Sequence, residues 1–109
     1  MTHRTLIVAR MDPRDEPAVR DLFAQSDQGP LPDLVGVRRR DLFSYHGLYF
    51  HLLETREDVG ARLDRARATE EFAALNERLA RHITPYLPDW KEPRDAMAHH
   101  FYHYAPPSP

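Results

Sequence analysis

The chain of 109 residues has no cysteine and only four glycines. Without thiols there is no disulfide, no thiolate metal site, no iron–sulfur cluster and no cysteine nucleophile. With so few glycines, neither a dinucleotide fingerprint nor a phosphate loop is present, and no Gly-x-Ser-x-Gly elbow occurs. Apolar runs are only a few residues long, far short of the roughly 18 that a membrane-spanning helix needs. The apolar stretch after His3 is also too short for a secretory signal core. Charge of one sign is lacking as well: 15 Lys and Arg against 17 Asp and Glu leave a net charge of −2. That balance offers nucleic acid or an anionic membrane no electrostatic attraction. The expectation is one domain over residues 1–109, frayed at 1–4 and 105–109, in the cytoplasm.

Histidine and proline are plentiful, at 7 and 10. Histidines supply proton-transfer capacity near neutral pH. Residues 5–11 are β-branched and apolar and predict a strand. Asp12-Pro13 then has the form of a helix cap followed by proline at the first helical position. Ala18, Val19, Leu22 and Phe23 fall at helical spacing, so a helix is expected to about Gln25. Residues 26–33, with one glycine and two prolines, predict a loop. Residues 34–45 and 48–54 predict two strands joined by a two-residue turn at His46-Gly47. Residues 58–68 predict a helix, and Thr69 caps another whose stripe is Phe72, Leu75, Leu79 and Ile83. Pro85 and Pro88 end it, and the aromatic segment 96–104 predicts the last strand. The order βαββαβ predicts a ferredoxin-like α+β fold, an antiparallel sheet with helices on one face.

The hairpin turn carries a register. With His46-Gly47 as the turn, Tyr45 faces Leu48, Phe43 faces Phe50, Leu42 faces His51 and Arg40 faces Leu53. Arg40 and His51 become diagonal neighbours on one face, within reach of one bound molecule. A cation beside His51 favours its neutral form, as a general base requires, and Arg40 suits an enolate or carbonyl oxygen. The plain reading of Arg38-Arg39-Arg40 is a solvated strand with an Arg39–Glu54 pair, and that of His51 a hydrogen-bonded core residue. Asp27 and Asp33 read as turn residues satisfying nearby amides. Both faces of the hairpin are partly apolar. The set Val35, Val37, Phe43, Leu48, Phe50 and Leu52 is expected against the helices. The face of Leu42, Tyr49 and Leu53 is expected to be covered by a second copy, which makes a homodimer the expectation. His99 and His103 share a face of the last strand, but no third ligand has motif spacing, so no metal is expected.

The stretch 31–54, with Gly36-Val37-Arg38-Arg39-Arg40 and Leu48-Tyr49-Phe50-His51-Leu52, resembles the tetracenomycin-type aromatic polyketide cyclases of bacterial type II pathways. Arg10-Met11-Asp12-Pro13, Ala74-Leu75-Asn76-Glu77-Arg78, Ile83-Thr84-Pro85-Tyr86, Asp89-Trp90 and the aromatic final segment share the resemblance. It implies a dimeric α+β barrel, a poly-β-ketone or polyphenolic substrate, no cofactor, and transient contact with polyketide synthase components. It implies catalytic roles for His51, Arg40 and Asp27, with Phe50, Tyr49, Leu53, Trp90 and Phe101 binding substrate. Family members that carry histidine just before the aspartate differ from this chain, which has Ser26. The activity so implied is an aldol-type ring closure with loss of water. The alternatives are a cofactor-independent anthrone-type monooxygenase and a ketide-binding chaperone without catalysis.

Overall fold

The computed structural model describes residues 2–57 and 60–107. Four strands form one antiparallel sheet: β1 (His3–Met11), β2 (Val37–Tyr45), β3 (Leu48–Thr55) and β4 (Ile83–Thr84), in the order β2-β3-β1-β4. Helices α1 (Glu16–Ser26) and α2 (Leu31–Val35) connect β1 to β2, while α3 (Gly60–Arg67) and α4 (Glu70–Leu79) connect β3 to β4. This is the expected ferredoxin-like arrangement.

The local signals act as physics dictates. The Asp12 carboxylate accepts the Arg14 amide at 2.9 Å, and Pro13 follows in a single 3₁₀ turn that leads into α1. In α1, Val19 and Phe23 are one turn apart and both are buried. Thr69 caps α4 by accepting the Phe72 amide at 3.2 Å. His46 and Gly47 both have positive φ, 45° and 82°. That is the turn whose twist matches the flanking strands, and it holds every hairpin pair at the expected register, Arg40 opposite Leu53 and Leu42 opposite His51. A register shift between Val37 and Arg39 confines the irregularity to the strand's start.

Four expectations are corrected. Residues 31–35 are helical, so β2 begins at Val37 rather than residue 34. Leu31 and Val35, four apart, bury themselves from this turn, and Gly36 at φ 81° closes it in the left-handed conformation. The two faces of the hairpin are exchanged. The helices cover Tyr49, His51, Leu53 and Thr55, all buried, whereas Leu48, Phe50 and Leu52 are only partly buried and Phe43 is 53% exposed. Val19 and Phe23 pack with Ala9, Met11 and Tyr49, joined by Leu75, Leu79 and Ile83. A second cluster joins Val35, Leu53 and Ala66. The opposite face leaves Leu6, Val8, Phe43, Phe50 and Leu52 as one apolar tract, since Leu6 pairs with Leu52 and both Val8 and Phe43 with Phe50.

Ile83 belongs to β4, not to α4, which ends at Leu79. Segment 96–104 is not a strand. Pro93–Ala96 form a 3₁₀ turn, Met97 makes one bridge to Ile7, and the Ala98 amide donates to the Leu6 carbonyl at 2.7 Å. Beyond it the chain leaves the edge of β1, and a segment without a neighbouring strand has no ladder to join. Phe101 is then 86% exposed. Of the helix expected over 58–68, Asp58 and Val59 lie outside the described residues, as do Met1, Ser108 and Pro109 among the expected frayed ends. Among the described residues no helix is long and apolar enough to cross a membrane.

Candidate active site

The site is assembled from the C-terminal end of α1 and the middle of the β2–β3 hairpin. Helix α1 ends at Ser26, and Asp27 follows as its cap residue with its amide bonded to the Phe23 carbonyl at 2.8 Å. This places the carboxylate over the edge strand β2. There it accepts two bonds from Arg40, Nε to Oδ2 at 3.1 Å and Nη2 to Oδ1 at 2.8 Å. This is the paired fork geometry that holds a guanidinium in one orientation. The third contact is Nη1 of Arg40 to Nε2 of His51 at 2.9 Å. The planar group also lies over the Phe23 ring, 4.7 Å from its centroid. The Arg40 side chain is 14% exposed.

The tautomer of His51 follows from its partner. An arginine side chain has no acceptor, so Nε2 must receive the Arg40 hydrogen and the imidazole is neutral. His51 is buried, edge-on to Phe23 at 5.1 Å between ring centroids. Burial, and then the Arg40 charge, lowers its pKa from 6.5 to about 3. The guanidinium has five N–H bonds, and the three contacts to Asp27 and His51 use one on Nε and one on each terminal nitrogen. One N–H on each terminal nitrogen has no protein acceptor among the described residues.

Arg40 lines a cavity of about 370 Å³ between α1 and the edge strand. Met11, Val19, Leu42 and Tyr49 form its apolar floor, with Glu16 and Arg20 of α1 on one rim and Asp41 and Ser44 of β2 on the other. Residues from both faces of β2 contribute, so the cavity wraps the free edge of that strand. Another hollow, about 300 Å³, lies between α1 and α4 beside Arg78 and Arg81, away from Arg40. Among the described residues no group of three His, Asp or Glu side chains is placed to hold a metal ion.

Asp27, Arg40 and His51 thus come together as one hydrogen-bonded unit. Of the five residues expected to bind substrate, Tyr49 lines the cavity. Phe50 points to the opposite face of the sheet, and Leu53 sits in the second core cluster. Trp90 packs near Tyr86, ring centroids 6.0 Å apart, and the Tyr86 ring lies under Arg10 at 4.4 Å. Phe101 is exposed in the terminal segment. Sequence reasoning did not name Phe23 as the support of the cation, nor Glu16, Arg20, Asp41 and Ser44 at the rim. The position of Ser44 was accessible from the register, which pairs it with Tyr49. The α1 residues had no such signal, because helix-to-sheet docking is not set by pairing.

An apolar-floored cavity with one oriented, desolvated cation and a neutral imidazole behind it is the equipment of an enzyme that handles an oxygen-rich, uncharged or enolic substrate. Residues 3–105 match the polyketide synthesis cyclase family, and the chain belongs to it. Tetracenomycin F2 cyclase of Streptomyces glaucescens is 45% identical over 98% of both chains. A solved structure of that protein, a type-II polyketide cyclase, superposes with a TM-score of 0.90 over 96% of this chain and 99% of its own. An antibiotic biosynthesis monooxygenase shares the fold at 21% identity, with a TM-score of 0.53 over 76% of this chain and 86% of its own.

Proposed function

We propose that the protein closes a ring in an aromatic polyketide intermediate by an intramolecular aldol-type condensation followed by loss of water. The observation that carries this reading is Arg40, fixed by Asp27 and His51 with two N–H bonds left over beside an apolar cavity. A methylene between two carbonyls is already acidic, so the chemistry needs a modest proton acceptor and a site for negative charge on oxygen. The basic atom of His51 is Nε2, and Arg40 occupies it. When a ketide oxygen draws Arg40 toward the cavity, the Nε2 lone pair is released and its neighbouring charge withdraws. Nε2 then takes the methylene proton, and the enolate carbon attacks a second carbonyl. A carbon–carbon bond forms, the carbonyl electron pair moves to oxygen, and the proton held by His51 passes to that oxygen. The resulting hydroxyl leaves as water with a hydrogen from the adjacent carbon. The sequence is redox-neutral. Asp27 acts through Arg40 as a positioning residue. The cavity adds the larger share of selectivity by holding one fold of a chain that cyclises several ways when free.

The test is a minimal type II polyketide synthase reaction run with and without the purified protein. A product that differs by ring pattern or by loss of water supports the cyclase. A product that gains oxygen and consumes dioxygen replaces it with the oxygenase whose fold the chain shares, and an unchanged profile leaves a binding role. We also propose that a second copy of the chain covers the tract of Leu6, Val8, Phe43, Phe50 and Leu52, and that the protein meets synthase components transiently.

A further inference from the structure

Tyr49 is 4% exposed and its ring is packed in the core with Val19 and Phe23, edge-on to His51 at 6.2 Å between centroids. Its hydroxyl has no hydrogen-bond partner among the described residues. No side-chain nitrogen or oxygen there is both fully buried and unpartnered, so the hydroxyl oxygen is not sealed in the core. The opening beside it is the Arg40 cavity, which Tyr49 lines. Phenylalanine would fill the same ring space without leaving a polar group unpaired in an apolar wall. The hydroxyl is left free to donate to an oxygen placed in the cavity.

We propose that Tyr49 is a further catalytic residue, whose hydroxyl donates a hydrogen bond to the ketide oxygen that Arg40 also contacts. The inference rests on the cyclase reading and deepens it. The two donors come from neighbouring strands on one face of the hairpin, Arg40 from β2 and Tyr49 from β3, and both line the same cavity, where one oxygen meets a cation and a neutral O–H. As the new carbon–carbon bond forms and the electron pair moves to that oxygen, both bonds strengthen. The tyrosine proton stays on the phenol throughout, because burial raises its pKa well above the ordinary value of 10.0, against the opposing influence of the Arg40 charge. The proton that ends on the product oxygen is the one His51 removed from carbon. The cation and the phenol divide the work: one balances charge, the other fixes direction.

Tyr49→Phe removes one oxygen and keeps the ring. In the minimal synthase reaction at limiting protein concentration, the variant is expected to form the enzyme-directed product about ten- to a hundredfold more slowly, with an unchanged thermal midpoint. Site-specific 3-fluorotyrosine at position 49, a stronger donor of the same shape, is expected to keep or raise the wild-type rate. Arg40→Met runs beside both. Full activity in Tyr49→Phe with activity lost in Arg40→Met overturns the tyrosine role and leaves the cyclase reading standing. Full activity in both, or a wild-type protein that redirects no product, overturns the site itself. A Tyr49→Phe defect that the fluorinated residue shares would mark the position as structural and also overturn the proposal.

Discussion

The neutral state of His51 has a thermodynamic consequence that equilibrium unfolding measures directly. In the unfolded chain the imidazole titrates near 6.5, whereas in the folded protein burial and the Arg40 charge hold it at about 3. A histidine kept neutral by folding contributes stability that is intact above the unfolded value and is lost as pH falls toward the folded one. At about pH 4.5 the unfolded imidazole is protonated and the native one is not. Two pH units at 1.36 kcal/mol each make the cost about 3 kcal/mol relative to pH 7.5. The comparison is a double difference, so that proton uptake elsewhere in the chain cancels. Urea unfolding of the wild type and of His51→Gln, each at both pH values, isolates the term. The glutamine oxygen still accepts the Arg40 hydrogen but does not titrate. The wild type should lose about 3 kcal/mol more than the variant between the two pH values. A double difference below about 1 kcal/mol would show that His51 takes up a proton while folded. The imidazole could not then be the acceptor for Arg40, and the proton-transfer scheme would fall with it.

Three further outcomes are expected. Asp27→Asn keeps the size of the side chain but turns one of the two oxygens that accept from Arg40 into an amide donor, so one prong of the clamp and its charge are lost; stability should change by less than about 1 kcal/mol because Asp27 is part-exposed, while cyclisation slows about tenfold, read from product formation and thermal melts. Phe23→Ala removes a buried ring that packs on Val19, Tyr49 and His51 and lies under Arg40, and should cost about 3–5 kcal/mol in urea unfolding. Phe50→Lys places a charge in the open apolar tract of the sheet and should convert the proposed dimer to monomer in sedimentation velocity without unfolding the chain; a wild type that sediments as a monomer would overturn the dimer.

The register of the hairpin was legible because a two-residue turn leaves only one pairing, and that pairing brings Arg40 and His51 to one face. The choice of face was not legible. Phe43, Phe50 and Leu52 offer as much apolar bulk as Leu42, Tyr49 and Leu53, and the buried side includes a phenol, an imidazole and the Thr55 hydroxyl. What decides is the contour of α1 and α4, a tertiary property that alternation does not encode. The short helix α2 was hidden by two prolines, although Leu31 and Val35 at a spacing of four followed by Gly36 carried its signal. The final segment has the aromatic composition of a strand, but composition cannot supply a partner, and among the described residues of 96–104 only Met97 and Ala98 pair with the backbone of β1. In the site, the register reached Arg40 and His51, while Asp27 was reached only through resemblance. The two-pronged bond to Asp27 and the stacking on Phe23 depend on where α1 docks.

Among the described residues, strand β2 has a neighbour on one side only, and the cation rides on it. The cavity is therefore a slot along a margin of the sheet rather than a hole through the core, and a long flexible chain can be laid in sideways instead of threaded. Asp41, Phe43 and Ser44, which also line it, belong to neither buried core cluster of the described residues, so their sizes can change without opening voids there. Such a margin lets the length and bulk of the accepted chain be adjusted one side chain at a time, while the positions of Asp27, Arg40 and His51 behind it are left untouched.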